Sequence, residues 1–391
     1  MKALRNYLNK VKPEFEPGGK YQKLWSVFDG FESFLFVPNT TAPKTGVQIH
    51  DGVDSKRVMS VVVLALIPAL LFGMYNVGYQ HYLAIGQEPG FVATFLFGLL
   101  AVLPKIIVAY VVGLGIEFIV AQYKHHEIQE GFLVSGMLIP LIVPVDTPLW
   151  MIAVATAFAV VFAKEIFGGT GMNVFNVALI TRAFLFFAYP TMMSGDNVFV
   201  RTADTFGLGA GQVVEGFSGA TPLSYAASGA PITNIVGQPI GAMEGFIGLI
   251  PGSIGETSTL AILIGAVILL FTGVASWRIM CSVFVGGALM GFLCHVTGAS
   301  ELTVAEQLVF GGFAFAAVFM ATDPVTGCRT NVGKYIYGFL IGAMAIIIRV
   351  FNAGYPEGAM LAVLLMNVFA PLIDYYVVEA NINRRLKRAK A

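Results

Sequence analysis

Ten apolar runs leave this chain little choice of fold. They lie near 58–78, 95–122, 131–145, 150–167, 177–190, 258–275, 279–297, 305–321, 335–351 and 357–378. A helix needs roughly 17–25 apolar residues to cross a bilayer. Inside hydrocarbon every backbone N–H and C=O must be satisfied internally, which a helix does within one segment. The expected class is therefore an all-α polytopic membrane protein of about ten transmembrane helices. Only 12% of the residues are charged, against about a quarter in soluble domains. Several runs are shorter than a full crossing. Short segments interrupted by Gly and Pro mark broken or re-entrant helices around a site inside the protein.

Charge sets the orientation. Lys2, Arg5, Lys10, Lys12, Lys20 and Lys23 crowd the start, and Arg384, Arg385, Lys387, Arg388 and Lys390 the finish. Basic ends of this kind stay in the cytoplasm, and an even number of spans puts both there. Because these clusters flank apolar runs, lipid is a better partner for them than nucleic acid. The start lacks the apolar core and cleavage site of a signal peptide. The long polar segment 191–257 holds one basic residue, Arg201, against Asp196, Asp204, Glu215, Glu244 and Glu256, and is expected outside. The chain then divides into a cytoplasmic arm (1–57), a first five-helix repeat (58–190), the outer segment (191–257), a second five-helix repeat (258–378) and a basic cytoplasmic tail (379–391).

An odd-numbered repeat must return inverted. Pro144 precedes an apolar helix ending Lys164-Glu165-Ile166-Phe167 and then Gly168-Gly169-Thr170-Gly171. Asp323-Pro324 precedes one ending Arg349-Val350-Phe351 and then Asn352-Ala353-Gly354. In two inverted repeats these glycine-bearing loops lie on opposite faces.

In the outer segment, Thr221 reads as a helix N-cap and Pro222 as the first helical residue. Its hydroxyl is expected to be exposed, among small residues that leave room for a modification. Free N–H groups at such a helix start also attract phosphate. Asn173 and Asn176, three residues apart after the Gly168–Gly171 loop, share a helix face; the loop suits either ligand contact or a cap. Arg182 lies inside an apolar run and needs a partner there, either an anion or a helix C-terminus. Carboxylates in or beside spans, Glu117, Asp323 and Asp374, are functional candidates. Glu117 has Lys105 and Lys124 as possible partners; Asp323 also suits a helix stop before Pro324. Lys164 and Glu165 read as an interfacial ion pair. His125, His126 and Glu127 lack a suitably spaced third metal ligand. Cys281, Cys294 and Cys328 have no CxxC spacing and read as buried fillers.

Several long motifs occur in order: Phe15-Glu-Pro-Gly-Gly-Lys20, Lys164-Glu-Ile-Phe-Gly-Gly-Thr-Gly171, Arg182-Ala-Phe-Leu-Phe-Phe-Ala-Tyr-Pro190, Glu215-Gly-Phe-Ser-Gly-Ala-Thr221, Pro251-Gly-Ser-Ile-Gly-Glu256, Met320-Ala-Thr-Asp-Pro324 and Tyr355-Pro-Glu-Gly358. By these the chain resembles, nearly end to end, the B subunits of bacterial sodium-pumping NADH:quinone oxidoreductases. The resemblance implies flavin mononucleotide (FMN) joined through its phosphate to Thr221, beside Ser218 and Gly219. That motif usually opens with Asp, where this chain has Glu215. It further implies a non-covalent riboflavin, for which Asn173, Asn176 and Arg182 are the candidates. Ubiquinone is the implied acceptor, near Gly113 and Leu114; the family often has a second Gly at the latter. Glu117, Asp323, Asp374 and, in the arm, Asp29 match acidic positions of a Na+ path. The implied setting is a multi-subunit complex of the bacterial inner membrane. NADH oxidation falls to another subunit, since no G-x-G-x-x-G sits at a strand–helix turn. The homologous flavin-carrying membrane component of an Rnf-type complex is the nearest alternative, favoured less because of the long arm. A channel or solute transporter of inverted repeats, or a structural anchor, is the alternative of a different class.

Overall fold

The computed structural model describes residues 2–16, 18–36, 45–46, 55–124, 131–352 and 354–390. Among them there are helices and two isolated bridges, Thr205 with Leu208 and Thr233 with Pro239, and no strand. The arm forms α1 (Lys2–Phe15) and α2 (Trp25–Leu35). The first half follows as α3 (Ser55–Ala84), α4 (Phe91–Lys124), α5 (Phe132–Leu141), α6 (Leu149–Ala159) and α7 (Val177–Ala188). Two short helices, α8 (Pro222–Ser228) and α9 (Ala242–Ile247), punctuate the polar segment. The second half holds α10 (Thr259–Phe271), α11 (Trp277–Val296), α12 (Val304–Val309), α13 (Phe313–Phe315), α14 (Asn331–Phe351) and α15 (Ala359–Lys390).

Every apolar run holds a helix, but not every such helix is long enough by itself to cross a membrane. Among the described residues, six helices are long and apolar enough to cross a membrane: 56–84, 91–124, 149–167, 277–296, 331–351 and 359–389. The runs at 131–145, 177–190 and 258–275 give shorter helices, α5, α7 and α10. The run at 305–321 is split at Phe310–Gly312 into α12 and α13. The basic tail is no separate element, because α15 runs through it without a break.

Helix starts follow local chemistry. Asn176, Thr221, Ser258, Thr303 and Thr330 each accept an N–H from three residues on, satisfying a donor that the helix itself cannot. Two helices depart from α geometry: α6 continues as a π-turn over Val160–Lys164, and α13 as another over Ala316–Met320. Such insertions recur at functional sites.

Small residues bring the long helices together, as membrane packing favours. Gly98 of α4 lies on the Met74 carbonyl of α3 and Gly342 of α14 on the Val283 carbonyl of α11; a methyl group at either would collide with that backbone. The core joins both halves: Leu66, Phe97, Ile139 and Ile152 pack in one buried cluster with Ile262, Phe315, Tyr337 and Ile346. Of the three cysteines, Cys294 and Cys328 are buried as expected, whereas Cys281, on α11, is exposed. The expectation for His125, His126 and Glu127 lies outside the described residues.

The polar segment folds over one end of the bundle. His81 of α3 bonds the Arg201 and Gly209 carbonyls at 2.7 and 2.9 Å. Arg201 reaches Asp146, between α5 and α6, at 3.3 Å. The opposite end carries the 168–176 loop and the 321–330 turn.

Candidate functional site

The chemistry-bearing residues gather at two places, one toward each end of the bundle. At the polar-segment end stands Thr221. It caps α8, accepting from Ser224 N at 3.3 Å. The expectation of an exposed hydroxyl needs correction: the residue is only 8% exposed. It lines a cavity of about 460 Å³ shared with Phe186, Phe199, Ser224, Tyr355 and Glu357. Ser218 accepts from Ala220 N at 3.4 Å. Gly219 is buried against the Asp196 carbonyl, where a methyl group would collide. These two shape the turn that presents Thr221. The Tyr355 hydroxyl is buried with no hydrogen-bond partner among the described residues, and burial pushes its pKa up to about 12.

Arg182 belongs to this end and not with the asparagines. Its guanidinium donates to Glu256 at 2.5 Å and to Glu357, and lies 3.4 Å from the Ser253 hydroxyl. An anionic partner, not a helix C-terminus, is what holds it. Burial raises the Glu256 carboxyl above its ordinary range, with Arg182 pulling the other way. Glu256 and Glu357 were not singled out by sequence reasoning, although both stand in the quoted motifs. The available signal was an isolated acid directly beside an apolar run.

At the other end a cavity of about 110 Å³ is lined by Lys164, Asn173, Asn176 and Asp323, with Thr170 and Pro324 among its walls. Asn176 caps α7 through Leu179 N and donates to Asp323 Oδ2 at 3.3 Å. Asn173 donates to the Phe175 carbonyl at 3.0 Å. Both π-turns end here: Lys164 closes one, and Asp323 follows the other by three residues. Small-molecule pockets typically measure about 300–1,000 Å³. Riboflavin therefore fits this cavity only if both amides are released and the walls part.

Glu117 pairs with Lys164, and both side chains are 4% exposed. That differs from the expected partners. Lys105 is instead held by the Thr147 carbonyl at 2.6 Å, and Lys124 lies 3.5 Å from Glu165. The anticipated Lys164–Glu165 pair is thus exchanged for two longer-range ones. The reason is burial: Lys164 points inward, where only a paired charge is tolerated, while Glu165 turns to the more exposed Lys124.

Gly113 lies one turn before Glu117 and abuts the Phe132 ring so closely that no side chain fits between them. Lys164 Nζ sits 6.0 Å from the centre of the same ring. The half-buried Leu114 packs on the core. Asp29 is on α2, which docks on α4 through Ser26, bonded to the Phe118 carbonyl and Gln122 at 3.2 Å each. Asp374 serves a cap: it accepts from Arg329 N, Thr330 N and the Thr330 hydroxyl at 2.7, 3.0 and 2.5 Å. No group of three or more His, Cys, Asp or Glu suited to a metal occurs among the described residues.

A family model described as the NQR2, RnfD, RnfE family matches residues 43–383. The chain is 44% identical over 414 aligned residues to the B subunit of the Na(+)-translocating NADH-quinone reductase of Ectopseudomonas mendocina (strain ymp), covering 99% of each chain. It is 43% identical over 414 residues to the protein of that name from Pseudomonas aeruginosa (strain LESB58), again covering 99% of each. Against the one from Chromohalobacter salexigens it is 44% identical over 415 residues, covering 100% of this chain and 97% of the relative.

Proposed function

Because the chain belongs to the NQR2, RnfD, RnfE family, we propose that it is the flavin-carrying membrane subunit of a Na+-translocating NADH–quinone reductase. The observation that carries this reading is Thr221, a helix-capping residue that lines a cavity of about 460 Å³. That volume falls within the range of small-molecule sites, so the residues present fit a flavin tethered by a phosphoester. A flavin bound there would supply reversible electron transfer between a partner subunit and the quinone.

This chain's residues bind and orient. Thr221 tethers; Phe186 and Phe199 give the cavity apolar walls, and the Tyr355 hydroxyl is free to donate. Riboflavin and ubiquinone are the further carriers of the scheme. The asparagine cavity is the riboflavin candidate only in an opened form, and Gly113 with Leu114 mark the quinone region. Glu117, Asp323, Asp374 and Asp29 form the candidate Na+ path. NADH is oxidised on another subunit, with this one in the bacterial inner membrane and both termini cytoplasmic. Two inverted five-helix repeats are supported by the Pro144 and Asp323 loops facing opposite ends, and likewise the 168–176 and 352–358 loops. The family description also names Rnf proteins; the relatives aligned over the arm, beyond the family-model match, favour the quinone reductase.

Mass spectrometry of the peptide from Glu215 to Tyr225, taken from the native complex under conditions that preserve phosphoesters, tests the reading. The expected mass includes FMN on Thr221. An unmodified peptide overturns it.

A further inference from the structure

A second, much smaller void lies beside Thr221. It measures about 10 Å³, room for a single water-sized sphere. Thr221, Ser253, Glu256, Thr257, Gly311 and Glu357 line it. Two of these residues bring buried oxygens that nothing satisfies among the described residues. Glu256, 5% exposed, gives Oε1 to Arg182 but leaves Oε2 without a partner; Thr257, 4% exposed, has an unpartnered hydroxyl. Leaving such groups bare is unfavourable, the more so when they are charged.

The neighbouring cations do not fill the gap. Arg182 already divides its guanidinium between Glu256 and Glu357. Arg349 is turned to the Gln307 and Phe310 carbonyls at 2.5 and 3.2 Å, and meets Glu357 only at its main-chain oxygen, 3.5 Å away. Arg182 with its two carboxylates carries one net negative charge. The ligands on offer are all oxygen, which hard cations prefer to softer metals.

We propose that this void is a binding site for one monovalent metal cation, Na+ in this setting, held by Glu256, Glu357 and the Thr257 and Ser253 hydroxyls. The site stands on this geometry and requires no flavin at Thr221. It lies at the polar-segment end, apart from the Glu117 and Asp323 region, so it adds a second cation station on the far side of the bundle.

The test is thermal melting of the purified full chain in detergent, produced without flavin attachment, with NaCl exchanged for choline chloride at constant ionic strength. Specific binding to the folded state raises the melting temperature with the logarithm of the Na+ concentration once that exceeds the Kd. Glu256→Gln is expected to weaken the apparent Na+ affinity by about tenfold or more, the scale of one lost charged ligand. Thr257→Val keeps charge and shape and is expected to weaken it several-fold. If Glu256→Gln fails to fold, Thr257→Val decides. Na+ titrations identical to wild type in the variants that fold overturn the site. So does an infrared protonated-carboxyl band, absent in Glu256→Gln, that persists in the wild type at saturating Na+. Either result leaves the flavin assignment at Thr221 untouched.

Discussion

Asn176 donates to Asp323 across 147 positions of sequence, at 3.3 Å. This bond ties the loop that opens α7 in the first half to the turn that follows the π-segment in the second. It brings a riboflavin candidate and an ion-path candidate to one cavity wall. Asn176 uses its oxygen on Leu179 N and its amide on Asp323, so the same residue fixes a helix start and a contact between halves.

Asn176→Ala is expected to lose both. The cap alone is worth about 1 kcal/mol, and the melting temperature should fall accordingly. Asn176→Asp keeps the cap but sets a second carboxylate against Asp323. If that pair is as close as the geometry indicates, Asn176→Asp melts below Asn176→Ala. The reverse order would show that the cap, not the Asp323 contact, dominates.

Glu117 and Lys164 form a pair buried on both sides. Removing one partner of such a pair typically costs about 3–5 kcal/mol, because it strands a charge. Glu117→Gln and Lys164→Met should each destabilise strongly, while the double variant recovers much of the loss. A double-mutant cycle of melting free energies checks this; additive losses would mean that the two charges do not interact.

Gly113→Ala places a methyl group in the Phe132 ring. Overpacking of this kind costs about 1–3 kcal/mol. Phe132→Leu in the same chain should restore stability by making room, and quinone-reductase activity with it if the region shapes the quinone site. Failure of the rescue would place the strain elsewhere.

Asp374→Ala removes the acceptor of three hydrogen bonds at the start of α14. Bonds to a charged acceptor contribute about 1.5–3 kcal/mol each at most, so a loss of about 2 kcal/mol or more is expected. Amide exchange at 329–333 should accelerate before that of the helix middle. Unchanged protection there would deny Asp374 its capping role.

Much of the helical framework was legible in the chain itself. The apolar runs are helical because hydrocarbon-like surroundings leave the backbone no other way to satisfy itself locally. Thr221 as an N-cap with Pro222 at the first helical position followed from the Thr-Pro pair itself. The break at Phe310–Gly312 did carry a local signal, the Gly311-Gly312 pair, with Gly311 at a positive φ of 67°, but it lies inside an otherwise apolar run.

Partner choice was not legible. Lys164 could have met Glu165 next to it, and Glu117 could have met Lys105 or Lys124. The pairs that formed are 47 and 41 residues apart, and Arg182 reaches 74 and 175 residues to its two carboxylates. Sequence alone determined that buried charges here must be paired, because desolvation penalises a lone ion. Only the tertiary structure decided with whom, and which oxygens beside Thr221 were left over, because a short-range interaction between distant residues depends on where the packed helices bring them.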